Sequence, residues 1–202
     1  MKPKFICLLL AGMCYSLMTY SQVSVNTEKF IRGSEVSATY AQSILKIKWP
    51  VGKNKFGLIN LDLQNGKPLF KSFSIVNNNV EKLISQDLDP AFLLSIGKRD
   101  LMSQNGWNIF FDKVPMRPYK TYNVGLKKTS ASVKTIGSRT VVTVGSLKAD
   151  IFSGNLEITF YNGSPLFNIA AVMNTRADAK AIVYDAGLVS RTDSWKSVSW
   201  VS

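Results

Sequence analysis

Alternation of apolar and polar side chains marks the first clear element of the chain. In residues 43–49, Leu45, Ile47 and Trp49 fall on one face and Lys46 and Lys48 on the other. That is the two-residue period of a half-buried strand. A turn cluster at residues 50–54 follows, and residues 56–63 then place Ile59, Leu61 and Leu63 on a single face. Asn65-Gly66 is the strongest two-residue hairpin signal in the chain, and residues 67–76 read as the returning strand. Asn77-Asn78-Asn79 is a turn. Residues 80–88 fit either a short helix or a strand, and residues 92–96 read as a buried strand.

The densest signal lies in residues 140–189. Four β-prone runs, TVVTVGSL, LEITFY, LFNIAAVMN and KAIVYDAGL, are separated by Phe152-Ser153-Gly154-Asn155, Asn162-Gly163-Ser164-Pro165 and Thr175-Arg176-Ala177-Asp178. Such spacing predicts an antiparallel meander. Before it, residues 124–133 read as a strand with Lys127 and Lys128 exposed, and residues 23–25 as a short first strand. Residues 107–111, WNIFF, form a dense aromatic run. Residues 114–122 contain Pro115 and Pro118, whose missing N–H groups rule out a central strand. They predict an extended loop carrying Arg117, Tyr119 and Tyr122. The fold class is therefore all-β, an antiparallel β-sandwich of roughly ten or more strands. Residues 191–202, with Trp195 and Trp200, read as a strand that has just begun, so the expected sandwich is incomplete at its C-terminal end.

The N-terminus changes the picture of compartment. Lys2 and Lys4 precede an apolar run at residues 5–13 and a polar end, Thr19-Tyr20-Ser21. This is the three-part pattern of a secretory signal, with the cut before Gln22. The domains expected are a signal peptide at 1–21 and a β-sandwich at 22–202, secreted or periplasmic. Leu10-Ala11-Gly12-Met13-Cys14 offers a lipoprotein anchor at Cys14 as the alternative, although Met13 stands where such motifs have a small residue. The apolar run is too short for a spanning helix, which needs about 20 residues.

Composition excludes more than it selects. Apolar residues make up 46% of the 202, and charged residues 19%, which suits a chain that buries a core. Lys and Arg number 25 against 13 Asp and Glu, a formal net charge of +12. The basic residues are scattered rather than run together, which reads as a solvated basic surface, with an anionic polysaccharide or cell surface as the partner if one is bound. No nucleic-acid module is evident. There is no His, which removes His-based triads and the usual metal ligands. The two Cys, Cys7 and Cys14, lie in the leader, so no zinc or redox motif is available. No glycine-rich phosphate loop occurs, and neither a cofactor nor a metal is expected.

Two places could carry chemistry. Asp185, in Tyr184-Asp185-Ala186-Gly187, follows an apolar run and could cap a turn or bind a polar ligand. The aromatic region of Trp107, with Arg117 and Tyr119 from the loop behind it, suits a sugar, whose apolar face stacks on a ring while its hydroxyls need hydrogen-bond partners. Core filling and turn formation are the alternatives for these residues. No pair of the carboxylates stands out as the acid and base of a glycosidase.

The string GNLEITFYNGSPLFNIAAVMNTRADAKAIVYDAGL, residues 154–188, resembles the supersandwich strands near the start of large secreted polysaccharide-processing proteins of Bacteroidetes-type bacteria. The leader ending Tyr20-Ser21-Gln22 fits the same group. The resemblance implies a galactose-mutarotase-like β-sandwich standing beside a catalytic domain. It implies an exported module that binds or frames a polysaccharide, with any catalysis in sequence further on; the candidate ligand-binding residues, Trp107, Arg117, Tyr119 and Asp185, come from the residue types and their placement. A structural or adhesive cell-surface sandwich is the alternative, and a small hydrolase with two carboxylates is the third reading.

Overall fold

The computed structural model describes residues 23–31, 35–99 and 118–190. Their regular structure is entirely β. The strands are β1 (Val25–Asn26), β2 (Ser37–Ala41), β3 (Ile44–Gly52), β4 (Lys55–Asp62), β5 (Phe70–Asn77), β6 (Val80–Lys98), β7 (Tyr119–Asn123), β8 (Gly125–Ile136), β9 (Arg139–Ala149), β10 (Phe152–Tyr161), β11 (Phe167–Asn174) and β12 (Lys180–Ser190). They form a five-stranded sheet, in order β1-β8-β9-β10-β11, and a seven-stranded sheet, in order β12-β6-β5-β4-β3-β2 with β7 also paired to β6. The β1–β8 pair is parallel, and the other pairs are antiparallel. The expected all-β sandwich is what forms.

The period-two pattern of the early chain is the pattern of the core. Leu45, Ile47 and Trp49 of β3 and Ile59 and Leu61 of β4 are buried, as is Leu63 just beyond it. They pack with Val142 and Val144 of β9 and Leu156, Ile158 and Phe160 of β10 from the other sheet. At about 25 cal/mol per Å² of buried apolar surface, this inter-sheet layer is the main favourable contribution to folding. Trp49 is its largest bridge. Its ring lies 4.8 Å from Phe160 and 6.0 Å from Phe167. Its Nε1 donates to the Ser164 carbonyl at 2.9 Å, and the Gly163 N–H donates to the Pro50 carbonyl at 2.9 Å. The loop between β10 and β11 is thereby fastened to β3. Gly57 stands beneath the indole, where a Cβ would overlap the ring.

Hairpins follow local turn chemistry in most places. Ala41 pairs with Ile44 and Asn77 with Val80. The two residues inside each turn, Gln42-Ser43 and Asn78-Asn79, all have positive φ, the conformation of the twist-matched two-residue turn. Asn65-Gly66 does not behave this way. Residues 63–69 form a longer loop wrapped round a lysine of the other sheet. Lys128 Nζ donates to the carbonyls of Asp62, Gln64 and Lys67 at 2.6, 2.7 and 2.8 Å. The Lys128 N–H donates to Asn65 Oδ1 at 2.9 Å. Lys128 is thus not exposed as its place in an alternating strand predicts, but 4% accessible. Register between Leu126 and Ser130 is irregular, and that break turns Lys128 inward.

Three further expectations change. Residues 80–88 and 92–96 belong to one 19-residue strand, β6. Pro90 is tolerated there because β5 pairs with β6 only as far as Leu88, while β7 begins at Leu93. No ladder donor is required on that side at Pro90. The expected turn at residues 152–155 is strand β10. The chain turns one step earlier, at Asp150-Ile151, with Asp150 at φ 51°. Gly154 marks a close approach instead, since a Cβ there would strike the Val172 carbonyl of β11. Finally, the meander holds for β9, β10 and β11, but its fourth run crosses to the other sheet, where β12 pairs with β6 from Lys180↔Lys98 to Ser190↔Leu88. The aromatic run at 107–111 and the tail at 191–202 lie outside the described residues.

Two substitutions test this architecture. Lys128→Met removes the donor from the carbonyls of Asp62, Gln64 and Lys67 and is expected to cost about 3 kcal/mol in urea unfolding. Gly57→Ala forces the Trp49 ring from a position fixed by its Nε1 bond and two aromatic neighbours. A loss of about 2 kcal/mol is expected, read as a lowered denaturant midpoint at unchanged slope.

Candidate functional site

Strands β7, β6 and β12 lie side by side and expose an outward face whose composition follows from their register. The rows are Tyr119–Gly97–Ala181, Thr121–Ser95–Val183 and Asn123–Leu93–Asp185. Side chains in a row project to the same face, and successive rows taken two apart share it. The Ser95 and Thr121 hydroxyls are 2.8 Å apart, as neighbours on one face must be. The intervening residues, Leu94 and Ile96, point inward and are buried against Ala149 and Phe152. The outward face therefore carries a tyrosine, two hydroxyls, an amide and a carboxylate on a rigid ladder.

Two of the four expected site residues lie on this face. Tyr119, 63% exposed, opens strand β7 rather than sitting in a loop. The segment can be a strand because Pro118 stands just outside it. Asp185 is exposed in the middle of β12, paired with Leu93, rather than at a strand end. It caps no turn, because β6 offers an uninterrupted template and Ala186-Gly187 simply continues the ladder opposite Phe92 and Ala91. Tyr119 and Asp185 share the face without touching. Two strand spacings and four residues of rise separate their Cα atoms by roughly 16 Å. Trp107 and Arg117 lie outside the described residues.

Other carboxylates serve the backbone. Asp62 Oδ1 accepts from the Gln64 N–H at 2.9 Å, and Asp89 Oδ1 from the Leu69 N–H at 2.7 Å. These are local turn and loop bonds of the kind Asp commonly makes. Among the described residues no group of three or more His, Cys, Asp or Glu side chains is placed to hold a metal ion.

A feature that sequence reasoning missed is a pocket of about 250 Å³ lined by Trp49, Phe73, Ile84, Leu88, Phe167 and Leu188, among others. It lies where β11 of one sheet and β12 of the other approach. Phe73 and Phe167 stack across its wall at 5.5 Å and 17°. Among the described residues no charged side chain lines it. Ser74 and Ser85 also belong to the lining, and their hydroxyls are buried with no hydrogen-bond partner among the described residues. The pocket draws on six separate segments, which is why no local motif announces it.

Ser74 is 4% accessible, so its unpartnered hydroxyl opposes folding. Ser74→Ala is expected to leave stability unchanged or raise it by up to about 1 kcal/mol in chemical denaturation. A clear loss would mean that the hydroxyl is bonded in solution.

Neither a protein-family model nor a curated protein matches this chain.

Proposed function

We propose that this chain is an exported β-sandwich module that binds or frames a polysaccharide along the outward face of β7, β6 and β12. The observation that carries the reading is the register that puts Tyr119, Thr121, Ser95, Asn123 and Asp185 on one exposed face. A sugar ring has an apolar side and a rim of hydroxyls. An exposed tyrosine offers a stacking surface for the first, while hydroxyl, amide and carboxylate groups meet the second. The face is built on paired strands, so its groups are positioned before a ligand arrives and little ordering cost falls on binding. It is open rather than enclosed, which suits a chain that runs past the protein more than a small substrate that must be surrounded. Without the leader's Lys2 and Lys4, residues 22–202 carry 23 Lys and Arg against 13 Asp and Glu, a net charge of +10, which favours an acidic glycan over a neutral one through long-range attraction. The leader pattern of residues 1–21 and the resemblance of residues 154–188 to supersandwich modules support the same compartment and ligand class. Any catalysis belongs to sequence outside the described residues.

The reading is tested by affinity electrophoresis of residues 22–202 through gels containing uronan, galactan or glucan. Retardation is expected, strongest for the uronan and weakened by salt. Tyr119→Ala is expected to reduce affinity about tenfold, the scale of one lost aromatic contact, with an unchanged circular dichroism spectrum. Absence of retardation by every polysaccharide would overturn it and leave a structural or adhesive surface role ahead.

A further inference from the structure

The two sheets are unequal, and among the described residues the inequality leaves one side of the sandwich uncovered. On the opposite side, residues 23–31 close the gap. The Tyr40 hydroxyl of β2 donates to the Val23 carbonyl at 2.8 Å, and Ala131 and Thr135 of β8 donate to the carbonyls of Ser24 and Lys29 at 3.1 and 3.0 Å. On the β11 side, Phe167 packs on Trp49 and Phe73, and Met173 packs against the cluster of Leu94 and Ile96. β11 therefore covers β5 and β6. β12 lies one strand further out, beyond the edge of the five-stranded sheet. Its inward side chains share rows with buried residues of β6, since Tyr184 pairs with Leu94 and Ile182 with Ile96. Yet Ile182, Tyr184 and Leu188 are 47%, 68% and 37% exposed. They are side chains on the core-facing side of the sheet that no core cluster of the described residues takes in.

We propose that this gap is a strand-addition site, and that its occupant is an extended peptide from another protein that pairs with the free edge of β11. The outer edge of β11 has no paired strand among the described residues, so it presents a row of backbone donors and acceptors. A strand of about eight residues added there extends the five-stranded sheet by one and lies over the inward face of β12. A strand added to the outer edge of β12 would lengthen the overhang and leave Ile182, Tyr184 and Leu188 bare. The peptide must be apolar at alternate positions, to face Tyr184 and Ile182 and to seat one side chain in the uncharged pocket at Leu188 and Phe167. Its chemistry at one end is set by charge. Lys98 and Lys180 stand directly opposite each other on the inward side of the ladder, a like-charge pair that is unfavourable across strands. Arg176 lies in the turn just before β12. An acidic residue on the peptide at that end relieves the repulsion. With a net charge of +10 on residues 22–202, an acidic peptide is also a better partner than a second copy.

The test uses residues 22–202 and a fluorescein-labelled synthetic peptide, DDVTITVTLT, with fluorescence polarisation as readout. Binding is expected in the micromolar range, on the order of other single-strand additions. It should fall at least about tenfold for Tyr184→Lys, whose side chain is inward, and be unchanged for Val183→Lys, its equally exposed outward neighbour. Hydrogen exchange should slow at the amides of residues 167–174 when the peptide binds. No binding, equal effects of the two lysine variants, or protection confined to β12 would overturn the proposal. So would a concentration-dependent dimer in sedimentation that excludes the peptide. Tyr119→Ala should leave peptide binding intact, which separates this site from the glycan face.

Discussion

Three hydrogen bonds from one buried ammonium hold the frame on which both surfaces depend. Lys128 reaches from the five-stranded sheet into the loop between β4 and β5 and satisfies the carbonyls of Asp62, Gln64 and Lys67. A buried charge is tolerable only when its hydrogen-bonding capacity is filled, and this loop is shaped to fill it. The apolar layer beneath can slide, because dispersion contacts have little directionality. The lysine fixes where the two sheets stand relative to one another. Trp49 does the same at another point of the interface, through a ring wedged over Gly57 and a single directed bond to the opposite sheet.

Much of this was legible in the chain. The strands of residues 43–63 read directly from alternation, and Leu45, Ile47, Trp49, Ile59, Leu61 and Leu63 are all in the core. Local reading failed where a distant residue overrode a local signal. Asn65-Gly66 is a good tight turn in isolation, but Lys128 supplies bonds that a two-residue turn would forgo. Gly154 is a good turn residue, but it is needed where β11's backbone comes within reach of its Cα. Residues 80–98 contain a proline and a positive φ at Asp87, both of which look like strand breakers. They are accommodated because β6 changes partners along its length. The candidate face was half legible: Tyr119 and Asp185 were singled out by residue type, whereas Ser95, Thr121 and Asn123 join them only through register. The pocket could not be read at all, since its walls come from strands far apart in sequence.

The outward and inward sides of β12 carry different side chains. Asp185 and Val183 project to the solvent-facing ladder, while Tyr184 and Ile182 project towards the gap beside β11. Because the side-chain period is two, a slip of one residue in the β6–β12 pairing would exchange these sets. The register therefore decides which side chains each proposed surface presents, and it is kept along the full length of β12 opposite a single long strand.

That long strand also has a consequence for how the molecule is assembled. β6 takes β5 as a partner across a tight turn, but β12, its neighbour on the other edge, arrives from far along the chain. During synthesis the edge of residues 88–98 that takes β12 stands open while β7 to β11 are made and paired. A non-local closure of this kind is slow, and an open apolar ladder is the surface through which nascent chains associate wrongly. The last described strand thus acts as a late seal, and the rate at which it reaches β6 sets how long the half-built sheet is exposed.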